Sequence, residues 1–283
     1  MCSLIVMERW RGRVAVVTGA SAGIGAAIAY QFQDAGLTVV ALARRKEKIP
    51  VAVEEARREA KERGRATLGK APSPGKLHAL KCDVSNEEDI LAAFKWVKDN
   101  LGGVDILVNN AGVPGGSSLT GPNVEEWKRI LNVNLLGLCI CTREAVQQMK
   151  ERGVDDGHII HISSRAGHYI FGVPGIHMYS ASKHGVRVVT EGLRKELVAA
   201  KSRIRVTEVS PGLVKTEIFD KIDKNTASLD AVTASLGASE GEGVWALPHV
   251  FSEDVADAVL YAVSTPPHVQ IHEMIVMPVG EAV

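Results

Sequence analysis

The chain of 283 residues carries 33 basic and 33 acidic side chains and has a pI near 7.1. No basic stripe is present, so nucleic acid is not an expected partner. Hydrophobic residues make up 46% of the chain, enough for a sizeable core and against disorder.

No run reaches the ~18 apolar residues of a membrane span, and Met1 to Met7 is short and lacks the basic flank of a secretory leader. Cys2, Cys82, Cys139 and Cys141 show neither metal-ligand spacing nor a disulfide framework. The expectation is a protein of a reducing, cytoplasmic compartment without a structural metal.

Taken in order, short apolar runs alternate with helical patterns. Arg13 to Thr18 reads as a buried strand, Gly23 to Ala35 as a helix stopped by Gly36, and Thr38 to Ala43 as a second strand. Pro50 to Arg63 pairs Glu54 with Arg58 and Glu59 with Arg63 at i,i+4, as a solvated helix does. Arg65 to Lys76 contains Gly69, Pro72, Pro74 and Gly75, the composition of an exposed, mobile loop.

Leu77 to Asp83 reads as the third strand, and Ser85 with Glu88 as a capping box for a helix to about Leu101. Val104 to Asn109 follows as a strand, Val124 to Arg152 as one long helix, and His158 to Ser163 as a strand. Tyr179 to about Ala200 is then a helix, Arg203 to Ser210 a strand, Ser252 the N-cap of a helix to Ser264, and Gln270 to Met277 the last strand. This alternation predicts right-handed crossovers and one doubly wound parallel α/β sheet of the Rossmann type with helices on both faces. No repeat or linker interrupts it, so residues 1–283 read as a single domain.

The chemistry-bearing stretches fall at strand ends. Thr18-Gly19-Ala-Ser-Ala-Gly23-Ile24-Gly25 separates the first strand from the first helix. Glycines there let the backbone turn and approach a pyrophosphate, whose charge suits the helix N-terminus. A plain glycine-rich turn is the alternative for this motif taken alone.

The second strand ends in Ala43-Arg44-Arg45, with no acidic residue to hold the ribose hydroxyls of NAD. Arginines there suit the 2′-phosphate of NADP; alternatively they open the solvated run with Lys46 and Lys48. Asp83 and Asn109-Asn-Ala-Gly112 end the third and fourth strands, where ligands of open parallel sheets bind, though each could equally serve a turn. Asn134 lies inside the long helix, either distorting it and holding a water near Lys183 or simply exposed.

Tyr179 and Lys183 stand four apart on a predicted helix, one turn above each other. A cation beside a phenol favours the phenolate and lowers its pKa, making a general acid/base. Taken alone, the pair also fits a surface helix. His158 and His161 face opposite sides of a strand, and His168 and His177 have no carboxylate or cysteine neighbours in sequence. All four read as structural or surface residues, and no metal site is expected.

Together these residues resemble the short-chain dehydrogenase/reductase family. The resemblance spans nearly the whole chain: the Thr18 to Gly25 turn, Asn109 to Gly112, Asn134, Ser163-Ser164, Tyr179 with Lys183, and Pro211-Gly212 followed by Thr216. Within the family the chain is similar to an animal group that includes SDR family member eleven and the insect farnesol dehydrogenases. Met7 to Arg11, Ile140 to Glu144, Thr190 to Arg194 and Ser264 to Ile271 carry that likeness. The gap from Ser164 to Tyr179 and the 65–76 connection are longer than is usual.

The resemblance implies that Tyr179 is the acid/base and that Lys183 tunes it and binds the nicotinamide ribose. Ser164, as the second serine, would bond the substrate oxygen, and Asn134 would hold a relay water. The cofactor would be NADP(H), held by Gly19, Ser21, Gly23, Ile24, Gly25, Arg44, Arg45, Asp83, Val84, Asn110, Ala111, Gly112, Tyr179, Lys183, Pro211, Gly212, Val214 and Thr216.

A substrate loop would span about 213–250, rich in apolar residues from Ile218 to Leu247 that suit a hydrophobic ligand or the core equally. The expected activity is interconversion of a hydrophobic alcohol, farnesol-like, with its aldehyde or ketone. A hydroxysteroid dehydrogenase or carbonyl reductase of the same family, and a non-catalytic dinucleotide-sensing scaffold, are the alternatives. A homodimer or homotetramer without a membrane span is the expected assembly.

Overall fold

The computed structural model describes residues 7–65, 70–115, 118–172, 175–218 and 244–281. Seven strands join one parallel sheet in the order β3-β2-β1-β4-β5-β6-β7. They are β1 (Val14–Thr18), β2 (Thr38–Ala43), β3 (Leu77–Lys81), β4 (Ile106–Asn109), β5 (His158–Ile162), β6 (Arg205–Pro211) and β7 (Glu273–Val276). The central strands β1, β4, β5 and β6 are buried along their whole length, whereas the edge strands β3 and β7 are only half-buried. Continuous apolar runs are what a strand covered on both faces requires.

Helices cover both faces. On one side lie α1 (Gly23–Asp34), α2 (Ile49–Glu62) and, from the far end of the chain, α7 (Ser252–Ser264), with Ile28, Phe32, Val53, Val255 and Val259 packed against Val17, Val39 and Ile160. The opposite side carries α3 (Glu87–Leu101), α5 (Gly137–Glu151) and α6 (His177–Ala199), with Ile90, Phe94, Cys141, Met149 and Leu197 against Val16, Leu107 and Val206. Among the described residues no helix is long and apolar enough to cross a membrane.

Three predicted boundaries differ for local reasons. Asn86, not Ser85, caps α3: its side chain accepts from Asp89 N at 3.1 Å, while Ser85 Oγ turns back to Asp83 at 2.7 Å. Ser252 is the first helical residue of α7 rather than its cap. Phe251 is the cap, its N–H donating to the Asp254 carboxylate at 2.7 Å. The long helix from Val124 is broken into α4 (Val124–Leu131), a π turn (Asn132–Leu136) and α5, with Gly137 N bonded to Asn132 O.

The connection predicted as a mobile loop over 65–76 is tied down in its described part. Ala71 is buried and its N–H donates to Asp34 O at 2.8 Å, Gly75 N donates to Gln33 O at 2.7 Å, and Arg65 pairs with Asp254 and Asp257. Of the apolar residues expected in the substrate loop, Phe219, Ile222, Leu229, Val232 and Leu236 lie outside the described residues.

Candidate active site

The sheet reverses its winding between β1 and β4, and that switch point opens a crevice at the carboxyl ends of the strands. The glycine turn after β1 and the Asn110 turn after β4 meet there. Thr18 Oγ1 accepts from Asn110 N and Ala111 N, both at 3.0 Å, and Asn110 Nδ2 donates to Thr18 O at 2.9 Å. Gly19 adopts φ +69°, and a Cβ on it would fall 2.8 Å from Ala111 Cα. On Gly25 a Cβ would fall 2.6 Å from Gly19 O. Side chains at either position would push the two turns apart and fill the cradle.

A cleft of about 310 Å³ runs from this cradle across the sheet end. Gly19, Ser21, Gly23, Ile24, Arg44, Arg45, Asp83, Val84, Asn110, Ala111 and Gly112 form one end of its wall. Ser164, Tyr179, Lys183, Pro211, Gly212, Val214 and Thr216 form the other. Gly25 is buried behind the wall, and Asn134 supports it from within the protein. The residues singled out in seven separate stretches of sequence are thus brought to one cleft.

Arg44 and Arg45 project from the end of β2, both exposed, with Arg45 4.0 Å from Glu217 across the opening. Asp83 lies just beyond β3, one carboxylate oxygen accepting from Ser85 N and Oγ. The cradle, the exposed guanidiniums and the carboxylate fit the three parts of an adenine dinucleotide: pyrophosphate, a phosphorylated ribose and the adenine edge.

At the opposite end, Ser164 caps a 3₁₀ turn, Arg165–Gly167, its Oγ accepting from Ala166 N at 3.1 Å. The same hydroxyl hydrogen-bonds the Tyr179 phenol. Ser163, which also lines the cleft, bonds Lys183 O at 3.4 Å and Glu208, whereas Ser164 is the serine bonded to the phenol.

Lys183 is 5% exposed, and its ammonium donates to Ile162 O at 2.9 Å. Burial lowers its pKa to about 8, the carboxylate of Glu208 opposing that fall. Burial also raises the Tyr179 phenol, the Ser164 hydrogen bond pulling the other way. The direction at the phenol is thus opposite to the lowering that a neighbouring cation brings. Lys183 Nζ lies 5.8 Å from the ring centroid and is committed to Ile162.

Asn134, 1% exposed, sits in the π turn rather than on the surface. Its Oδ1 accepts from Val113 N at 2.8 Å, and both amide hydrogens are used, on Val113 O and Ser182 Oγ, each at 3.0 Å. The side chain braces the strand-end turn against α6. The π turn takes up the extra residue that lets asparagine reach inward.

The histidines divide. His158 bonds Thr207 at 2.9 Å, and His161 bonds Thr142 and Thr190; burial pushes His161 down to about 3, so it stays neutral. His168 has the carboxylate neighbours that its sequence context did not show. Its Nε2 lies 2.7 Å from Glu273, and ligand atoms of His168, Glu208 and Glu273 fall within 4.8 Å of one another. Ser210 and Ser163 also bond Glu208, and Arg187 stands 3.7 Å from Glu273.

Glu208 was not singled out from sequence because nothing in Thr207-Glu208-Val209 distinguishes a buried acid from an exposed one. Cys82 and Cys141 are buried and Cys139 is half-buried, and burial raises all three thiols.

Known proteins are similar to this chain along nearly its whole length. The short chain dehydrogenase family pattern matches residues 13–227. A farnesol dehydrogenase of Aedes aegypti is 47% identical over 276 residues, covering 97% of this chain and 99% of its own. Dehydrogenase/reductase SDR family member 11 of Mus musculus is 46% identical, with 96% of each chain covered. Among solved structures, the closed form of a serine dehydrogenase complexed with NADP+ is similar at a TM-score of 0.73 and 30% identity, covering 95% of this chain and 96% of its own. A metagenomic short-chain oxidoreductase in complex with NADP is similar at 0.69 and 30%, over 95% and 98%.

Proposed function

The chain belongs to the short-chain dehydrogenase/reductase family and is an oxidoreductase of that family; on that premise we propose that it uses NADP(H) to interconvert a hydrophobic alcohol, farnesol-like, with its aldehyde or ketone. The observation that carries the proposal is the convergence of Ser164, Tyr179 and Lys183 on one wall of a cleft whose other end is the glycine cradle. Arg44 and Arg45 support the phosphorylated cofactor, since a guanidinium pairs with phosphate in two parallel hydrogen bonds.

In this reading the nicotinamide supplies or accepts the hydride when bound. Every other task falls to the protein. Ser164 holds the substrate oxygen, and its hydroxyl also reaches the phenol, so one residue aligns substrate with proton donor. Tyr179 gives its proton to the oxygen during reduction and takes it back during oxidation.

A pKa raised by burial keeps Tyr179 protonated and ready to donate in reduction. For oxidation, positive charge must gather at the phenol, and Lys183 is the cation at hand. Near 8, Lys183 can exchange protons at physiological pH. Asn134 would hold a relay water beside Lys183 through its main chain, which the π turn displaces from the regular helical hydrogen-bond pattern. Pro211, Gly212, Val214 and Thr216 line the nicotinamide end of the cleft, and Thr216 would contact its amide.

Apolar Phe171, Ile176, Leu213 and Ile218 line the same end, which supports a hydrophobic substrate. The relative acting on farnesol makes that alcohol the first to try. A single cytoplasmic domain assembled as a homodimer or homotetramer completes the reading, supported by large apolar side chains left exposed at Leu136 and Val188.

The test is a panel of apolar and small polar alcohols and ketones, followed by nicotinamide absorbance with NADP(H) and NAD(H). Turnover of small polar substrates alone refutes the substrate class. Tyr179→Phe should lower kcat/KM by about 100- to 10,000-fold with NADPH still bound; a wild-type rate removes Tyr179 as the acid.

A further inference from the structure

Arg165 follows Ser164 in the chain, and Glu281 comes from the opposite end, yet the two meet inside the cleft wall. The Arg165 guanidinium bonds Glu281 Oε1 at 2.6 Å, with the two side chains only 9% and 5% exposed. The other carboxylate oxygen accepts from Leu213 N at 3.1 Å. Gly212 has no room for a side chain because the Glu281 carboxylate and the Met277 sulfur, at 2.8 Å, occupy the place its Cβ would take. Tyr169 and Phe171 flank the guanidinium, with ring centroids 5.3 and 5.2 Å from its carbon.

One carboxylate thus ties the stretch that carries Ser164 to the turn Pro211-Gly212-Leu213. Arg165, Phe171, Leu213 and Glu281 all line the cleft that holds Ser164 and Tyr179. A buried ion pair adds little stability over apolar residues of equal volume, because both charges lose their water. What it does supply is direction: a carboxylate shared between a guanidinium and a main-chain N–H permits few arrangements of its neighbours.

We propose that Arg165 and Glu281 determine substrate specificity, fixing the cleft wall against which the apolar chain of the substrate lies and so selecting long alcohols over short ones. The inference rests on the reading of Ser164 and Tyr179 as the groups that meet the substrate oxygen. A short alcohol needs those groups alone. A long one must also lie along the wall that the pair holds.

The experiment compares kcat/KM for farnesol and for a short isoprenoid alcohol, with NADP+, in wild type, Glu281→Gln, Arg165→Gln, the double variant and a chain stopped after Gly280. The long-to-short ratio should fall by about tenfold or more in each variant, as displacement of a positioning wall does. The double variant should be no worse than the worse single one, because both lose the same pair.

A lowered Tm with an unchanged ratio, or additive losses in the double variant, would overturn the proposal and leave the pair a structural tie. Equilibrium dialysis of farnesol separates this inference from the proposed function. Wild type that binds farnesol but turns over neither alcohol defeats the proposed function. The wall is then judged on binding alone: weaker binding by Glu281→Gln supports it, and equal binding overturns it. Wild type that neither binds nor turns over farnesol overturns both.

Discussion

Lys183→Met removes a charge from the interior and should uncouple stability from function. The pKa of Lys183 falls from 10.5 to about 8 through burial. At about 1.4 kcal/mol for each tenfold change in proton affinity, keeping this ammonium charged inside the protein costs roughly 3 kcal/mol at pH 7. Met fills a similar volume without charge but leaves Ile162 O without its 2.9 Å donor, a loss of ~1–3 kcal/mol.

The two effects nearly offset at pH 7, so the decisive quantity is the pH dependence. The folded pKa lies below the unfolded one, and the unfolded chain therefore binds more protons between pH 8 and 10.5. Stability rises with pH through that window and is lost as pH falls through about 8. Wild type should gain about 2 kcal/mol relative to Lys183→Met between pH 7 and pH 9.5.

Urea unfolding followed by circular dichroism at the two pH values, without nucleotide, measures the difference. Every other titrating group cancels between the two proteins. Parallel pH dependences would refute the reasoning, because Lys183 would then have an unperturbed pKa and no special fitness for proton exchange. Activity should be lost in the variant at both pH values.

Glu208→Gln removes the buried carboxylate whose charge holds Lys183 up, so the limb of the pH profile of kcat/KM that reports Lys183 should move to lower pH; an unmoved limb would show that Glu208 is not ionised. Arg44→Asp should raise KM for NADPH by roughly 10- to 100-fold and leave KM for NADH lower by comparison, as loss of a charged phosphate contact does; equal changes for both nucleotides would remove the 2′-phosphate role. Gly25→Ala places a methyl group 2.6 Å from Gly19 O and should cost ~1–3 kcal/mol, a fall in Tm of roughly 2–10 °C with weaker nucleotide binding. An unchanged melting curve would mean that the two turns can separate freely.

The strands and most helices were legible because their residues satisfy local rules: Val14 to Val17 is an unbroken apolar run, and α2 is a charged helix, in which Glu59 meets Arg63 as expected while Glu54 pairs with Arg57 and Arg58 with Glu62 instead. The reacting groups were legible for a different reason, since Tyr179 and Lys183 share one helix and spacing alone stacks them. Where side chains compete for the same backbone groups, sequence was a weaker guide. Ser85 and Asn86 are both good caps, and the contest was decided by Asp83, which takes the Ser85 hydroxyl. The inward turn of Asn134 depends on Val113 and Ser182, both distant in the chain.

By itself, then, sequence determined the alternating elements, the parallel sheet and the family of the site, because hydrophobic period, glycine turns and short motifs are written in neighbouring residues. Only the tertiary structure decided how far Lys183 is buried, that Glu208 lies close enough to act on it, and that Glu281 reaches across to Arg165. The physical reason is that burial and Coulomb interaction depend on distance through space. Strands β5, β6 and β7 bring together residues separated by more than a hundred positions, and no local pattern encodes that approach.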